Sequence, residues 1–211
     1  MRLALGLKKT TRASERDRPD VAEARRLWRA TTSGLPVEKL IFLDETGLST
    51  KMARLYARSI GGARAVDSIP HGHWHTTTFV AGLKHQALVA PAVFDGPMDG
   101  ESFLAYVEQI LSPVLKPGDV VIMDNLSSHK VAGVRDSIQN TGASLRYLPP
   151  YSPDLNPIEQ LFAKFKALLR KAAPRTLQRL WDRVRLLLSC FSPDECMNYF
   201  ANSGYANATN L

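Results

Sequence analysis

Asp119-Val120-Val121-Ile122-Met123-Asp124-Asn125-Leu126-Ser127-Ser128-His129 is the stretch whose reading decides the fold. Val120 to Met123 is an apolar run too short for a helix and closed by an Asp-Asn pair. It reads as a buried strand with a carboxylate at its C-terminal end. Upstream, Leu40-Ile41-Phe42-Leu43 has the same form and is closed by Asp44-Glu45-Thr46-Gly47. Downstream, Leu145 to Leu148 makes a third short strand, followed by a proline-rich loop from Pro149 to Pro157. The pattern then changes period. Ile158, Leu161, Phe162, Phe165, Leu168 and Leu169 fall on one face of a helix. Leu177, Leu180, Trp181, Val184, Leu187 and Leu188 repeat that spacing, with Pro174 between the two helices.

The remaining segments fill in around these. Asp20 to Arg29 reads as a helix capped at Asp20 and ended by Gly34 and Pro36. Arg54 to Ile60 is expected to be a second strand. Thr76 to Gly82 and Ala87 to Phe94 suggest a hairpin turning near Lys84 and His85. From Glu101 a helix should bury Phe103, Leu104, Val107, Ile110, Leu111 and Val114, until Pro117-Gly118 stops it. A short helix is expected from Lys130 to Gln139. Strands first and crossovers later make an α/β chain: a mixed sheet with helices packed on it.

The 211 residues suffice for one good-sized domain. No apolar run approaches the ~18 residues of a membrane span, and Met1 to Thr10 lacks a signal-peptide core. Cys190 and Cys196 lack a partner pair at zinc spacing, so two buried thiols in a reducing cytoplasm are expected. The net charge of +7 favours a polyanionic partner, nucleic acid before membrane. It is concentrated in two blocks: residues 1–30 hold nine Lys or Arg against four acids, and residues 159–185 hold eight against two.

Three carboxylates have related addresses. Asp44 and Asp124 each end an expected strand, and Glu159 opens the first turn of a helix. Sites in open α/β sheets gather at the carboxyl ends of strands. Clustered like charges want a cation, and hard oxygen ligands select magnesium, manganese or calcium. Two such ions about 4 Å apart clamp the oxygens of an in-line phosphoryl transfer. The residues alone leave other readings open. An Asp at a strand end is commonly a turn residue. Asn156, Pro157, Ile158 and Glu159 also fit the first positions of a helix, with Glu159 completing a capping box. Asp154 is a rival third carboxylate.

Phe42-Leu43-Asp44-Glu45-Thr46, Val121 to His129, and Leu148-Pro149-Pro150-Tyr151-Ser152-Pro153-Asp154-Leu155-Asn156-Pro157-Ile158-Glu159 occur in that order. Together they resemble the catalytic motifs of the mariner-related bacterial insertion-sequence transposases, the last string most specifically. The 34 residues between Asp124 and Glu159 match the spacing of that group. The resemblance runs from about residue 15 through Pro70-His71-Gly72-His73-Trp74 to the segment ending at Tyr205.

The resemblance implies an RNase H-like fold, a five-stranded mixed sheet with helices on both faces. It implies a DDE-type catalytic domain over residues 37–211, preceded by a basic linker and helix over residues 1–36. Asp44 would bridge two Mg2+ ions (Mn2+ substituting), Asp124 would hold one and Glu159 the other. A phosphodiester at the element's end would be hydrolysed, and a DNA 3′-hydroxyl would then attack target DNA, typically at a TA dinucleotide. The partners implied are double-stranded DNA and, in the DNA complex, a second copy of the chain. The location implied is the cytoplasm, at the nucleoid. Family members carry an N-terminal helix-turn-helix that is absent from this sequence, so a partner encoded upstream, or a truncated remnant, is expected. The competing readings are another RNase H-like nuclease and a non-catalytic DNA-binding or assembly subunit.

Supporting residues surround this set. Asn125 and His129 follow Asp124, and His129 could orient a phosphate or pack at the next helix. Tyr151 fits either stacking on a DNA base or plugging the loop onto the sheet. Lys164, Lys166, Arg170 and Lys171 lie off the apolar stripe, where DNA phosphates would pass. His71, His73 and His75 would share one face of an extended segment. A DNA-facing loop with Trp74 packed beneath fits them better than a metal site.

Overall fold

The computed structural model describes residues 13–205, apart from 55, 58, 67 and 70–73. Its centre is a sheet of five strands in the order β3-β2-β1-β4-β5. These are β1 (Leu40–Ser49), β2 (Thr76–Lys84), β3 (Ala87–Asp95), β4 (Val120–Met123) and β5 (Ser144–Tyr147). The first three run antiparallel, while β1 pairs β4 and β4 pairs β5 in parallel. The hairpin turns at His85 and Gln86, as expected.

Strand periodicity sorts the side chains between two cores. Leu40, Phe42, Val120 and Ile122 face one, and Ile41, Leu43, Val121 and Met123 face the other. The first core is covered by α1 (Pro19–Thr32), α4 (Pro157–Ala172), α5 (Leu177–Leu187) and α6 (Pro193–Asn202). The second is covered by α2 (Gly100–Tyr106), which runs on through a wider turn over Val107–Leu111, and by α3 (Val134–Gln139). Helices therefore lie on both faces of a mixed sheet.

α1 buries Val21, Arg25, Trp28 and Thr32, one stripe at helical spacing, and Trp28 joins the first core. Trp28 Nε1 donates to Tyr205 Oη, which donates to the Leu155 carbonyl. This ties the helix to the loop before α4.

Four expectations need correction. Asp20 does not cap α1: the helix starts at Pro19, whose fixed φ suits the first helical position, and Asp20 lies in the first turn beside Arg18. Arg54 to Ile60 forms no strand among its described residues. Tyr56 and Ile60 are 90% and 98% exposed, so no burial rewards pairing there. β1 does not end at Asp44 but continues to Ser49, because β2 runs beside it throughout. Of the two thiols, Cys196 is buried but Cys190 is exposed.

Candidate active site

The parallel ladder between β1 and β4 stops at Phe42 and Ile122. Two residues further along that register, Asp44 and Asp124 stand level with each other. Both have the parity of Phe42 and Ile122, so both belong to the face covered by α4. Glu159 arrives in the first turn of that helix. All three line one open cleft of about 720 Å³, together with Asn125, Tyr151 and Asn156. Asp44 is thus at the end of the parallel pairing, though not at the end of its strand.

Asp44 is 7% exposed. Its Oδ1 accepts from the Glu45 amide at 2.8 Å and its Oδ2 from Asn156 Nδ2 at 2.8 Å. Burial pushes its pKa up to about 7, and the nearby Glu159 and Asp124 charges push the same way. Like charges gathered in one partly buried cleft repel, and a cation among these groups would relieve that cost.

Asp124 is half-buried. Burial works to raise its pKa, but His129 and the Leu126 amide hold it below the usual carboxylate range. His129 Nδ1 stands 2.7 Å from Asp124 Oδ1, and His129 Nε2 stands 3.6 Å from Glu45 Oε2. Neither approach is aligned as a hydrogen bond, so these are close ion contacts. Burial disfavours the charged ring, yet the two carboxylates prevail and raise its pKa to about 9. Phe103 packs against the imidazole at 4.4 Å between ring centres.

The residues match one family description. The model for "DDE superfamily endonuclease" covers residues 39–180. The chain belongs to that superfamily. Among curated proteins, none matches. Among solved structures, the pre-cleavage Mos1 transpososome superimposes with a TM-score of 0.73 at 12% identity, over 96% of this chain and 64% of that one. The Mos1 mariner paired-end complex with Mn gives 0.74 at 13% identity, over 95% and 63%. The catalytic domain of Mos1 mariner transposase gives 0.67 at 12% identity, over 93% and 92%. At such identities the likeness is one of fold, which is RNase H-like. This DDE chain spans about 64% of the length of the transposase in the first of these complexes.

Within the DDE domain, the other expected site residues separate into groups. Asp154 is not a rival for Glu159, because Arg25 grips it through two hydrogen bonds of 3.0 and 2.7 Å and Arg16 adds a third contact. Glu159 sits at the third helical position, but Asn156 makes no side-chain cap, so the capping box does not form. Asn125 and Tyr151 are exposed on the cleft wall, and Tyr151 adopts a left-handed φ of 54°. This leaves its ring outward rather than plugged onto the sheet.

His129 is 1% exposed and does not line the cleft; of its two readings the structure places it packed, in contact with Asp124. Lys164 also departs from expectation. Its Nζ is 2.6 Å from Glu195 Oε2 and donates to the Cys190 carbonyl, tying α4 to α6. At about 100° per residue, Lys166 and Arg170 return to within about 20° of Glu159, whereas Lys164 and Lys171 turn about 120–140° away. Lys166, Arg170 and Lys171 have no carboxylate partner among the described residues.

His71 and His73 lie outside the described residues. His75 is exposed, and its amide donates to Thr50 Oγ1. Trp74 is not packed beneath a loop: it is 53% exposed, with Lys51 Nζ 4.2 Å from its ring centre.

Among the described residues, no three His, Cys, Asp or Glu side chains close round a single ion. The donor set nevertheless fits hard divalent cations. Magnesium takes one or two protein carboxylates and fills its remaining positions with water and phosphate oxygens. Glu45 and Asn156 escaped the sequence reading. Glu45 has the opposite parity to Asp44, which sends it toward the second core where His129 lies. That parity was the available signal.

Proposed function

We propose that this chain is the catalytic domain of a DNA transposase of the mariner-related, bacterial insertion-sequence type. It would carry out divalent-metal-dependent phosphodiester hydrolysis and strand transfer into target DNA. The observation that carries the reading is the meeting of Asp44, Asp124 and Glu159 on one face of the sheet, at one cleft, within a DDE fold. Asp44 would hold two Mg2+ or Mn2+ ions in common, Asp124 one of them and Glu159 the other. When bound, the ions supply charge neutralisation and a clamp on the attacking and leaving oxygens.

The protein's own groups do the positioning. His129 holds Asp124 from below. Lys166 and Arg170 carry a positive stripe away from Glu159 along α4, suited to successive DNA phosphates. Tyr151 and Asn125 present an aromatic face and an amide at the cleft wall, where an unpaired base or strand end would lie. The catalytic unit would span residues 37–211. The partners would be double-stranded DNA, a second copy in the paired complex and a helix-turn-helix module for reading the element's ends. Action at the nucleoid follows from that reading.

The test is cleavage of a labelled DNA duplex in Mg2+ or Mn2+ by the wild type and by Asp44→Ala, Asp124→Ala and Glu159→Ala. Metal-dependent nicking by the wild type, lost in all three variants, is expected. Nicking that survives any of the three would remove that residue from the site. DNA binding without nicking by the wild type would favour a chain that only binds.

A further inference from the structure

Asn156 stands at the N-cap of α4, where its side chain would ordinarily accept a hydrogen bond from the first turn. It does not do so. Its Nδ2 instead donates at 2.8 Å to Asp44 Oδ2, on a strand 112 residues earlier in the chain. Both partners are buried, at 3% and 7% exposure. Asn156 Oδ1 has no hydrogen-bond partner among the described residues. Measured by helix stability alone, this arrangement is poor: a preferred capping residue leaves its helix end uncapped and buries an acceptor without a protein partner. Arg25 and Ser152 secure the neighbouring loop independently, so the Asn156 contact is not needed to hold the chain down. Its geometric effect is on two carboxylates together. Asn156 fixes which way Asp44 points, and it fixes the start of the helix that carries Glu159 three residues on.

We propose that Asn156 is a positioning residue, whose amide bond to Asp44 sets the separation and orientation of Asp44 and Glu159 for divalent-ion binding. The inference rests on the metal-site reading above. An amide suits the place because it donates to a carboxylate without adding charge. A carboxylate there would add a fourth negative group to the cluster. A serine would cap α4 but fall short of Asp44.

The experiment uses the 211-residue chain with Mn2+ as the probe, and compares wild type, Asn156→Ser and Asn156→Asp. Mn2+ affinity is measured by titration calorimetry, and melting temperature without metal is measured in parallel. For Asn156→Ser, an unchanged or raised metal-free melting temperature is expected, with Mn2+ affinity weakened about 10- to 100-fold, as is usual when a group orienting a metal ligand is removed. Duplex nicking should fall with it and recover at high Mn2+. Asn156→Asp preserves size but replaces the donating amide with a carboxylate, and serves if the serine variant does not fold. It should alter Mn2+ affinity at least as much. Wild-type Mn2+ binding that neither variant changes would overturn this inference and leave the metal site standing. No Mn2+ binding by the wild type would overturn both.

Discussion

Two aspartates bracket β4, and their surroundings differ completely. Asp119 precedes the strand, is 2% exposed and accepts from Lys84 Nζ and the Lys116 amide, each at 2.9 Å. Asp124 follows the strand, is half-buried, meets His129 on one side and faces Asp44 and Glu159 across the cleft. At one end of the sheet the fold provides the counter-charge as a permanent part of the protein. At the other it gathers more negative charge than its own groups balance. The residue type is the same and both flank one strand, but they stand at its opposite ends, and only the one at the carboxyl end is left facing other carboxylates.

The largest expected effect separates the two. Asp124→Asn should lower metal-dependent cleavage by on the order of 10³-fold, abolish stabilisation by Mg2+ and lower the metal-free melting temperature less than Asp119→Ala does, because loss of the His129 contact is offset by relief of repulsion with Asp44. Asp119→Ala should cost about 3 kcal/mol, because it strands Lys84 beside a buried site. In a domain of this size that lowers the melting temperature by about 6–12 °C, while the response to Mg2+ persists. Equal destabilisation by both variants would break the contrast.

A second effect follows from protonation. The Asp44 pKa is raised to about 7, above its unfolded value of about 4. Between these values the native state holds a proton that the unfolded state has released, so stability falls as pH rises through that window. His129, raised to about 9, contributes stability that is complete below about 6.5 and lost as pH rises through 9. Asp124 is lowered and so acts only below about pH 4. The metal-free melting temperature should therefore decline from pH 5 to pH 8, and Mg2+ should restore more of it at pH 8. Asp44→Asn should flatten the lower part of the decline. Melting curves that rise with pH in this range would count against the unbalanced cluster.

The smallest effect repeats the contrast on α4. Lys164 has Glu195 as its counter-ion, so Lys164→Met should cost about 0.5 kcal/mol and leave DNA affinity alone. Lys166→Met should leave stability alone and reduce the salt dependence of DNA binding by about one unit of slope.

Much of this site could be read from local pattern. Apolar runs ending in Asp44 and Asp124 gave the strand addresses, and the change of period after Pro157 gave the helix that carries Glu159. Parity adds that Asp44 and Asp124 share the face of α4. The misses concern contacts between distant residues. Nothing near Asn156 announces that its amide serves Asp44 rather than its own helix. Nothing near Asp154 announces Arg25. Lys164 read as a DNA-facing lysine like Lys166 until α6 brought Glu195 to it. The Arg54 to Ile60 segment misled for the converse reason: its composition suits a strand, but no strand lies alongside its described residues.

The order of the strands has a consequence for how the molecule is made. β2 and β3 are joined by a tight turn and can zip as soon as both have left the ribosome, with β1 beside them. β4 must then find β1 across the whole stretch from residue 49 to residue 120, and Glu159 is not placed until α4 docks. The proposed chemistry draws one carboxylate from each stage. A nascent chain ending before residue 159 would therefore be blunt, whatever else had folded. On that proposal, sheet topology would act as a timing device, completing the carboxylate cluster only after the fold that aims it has formed.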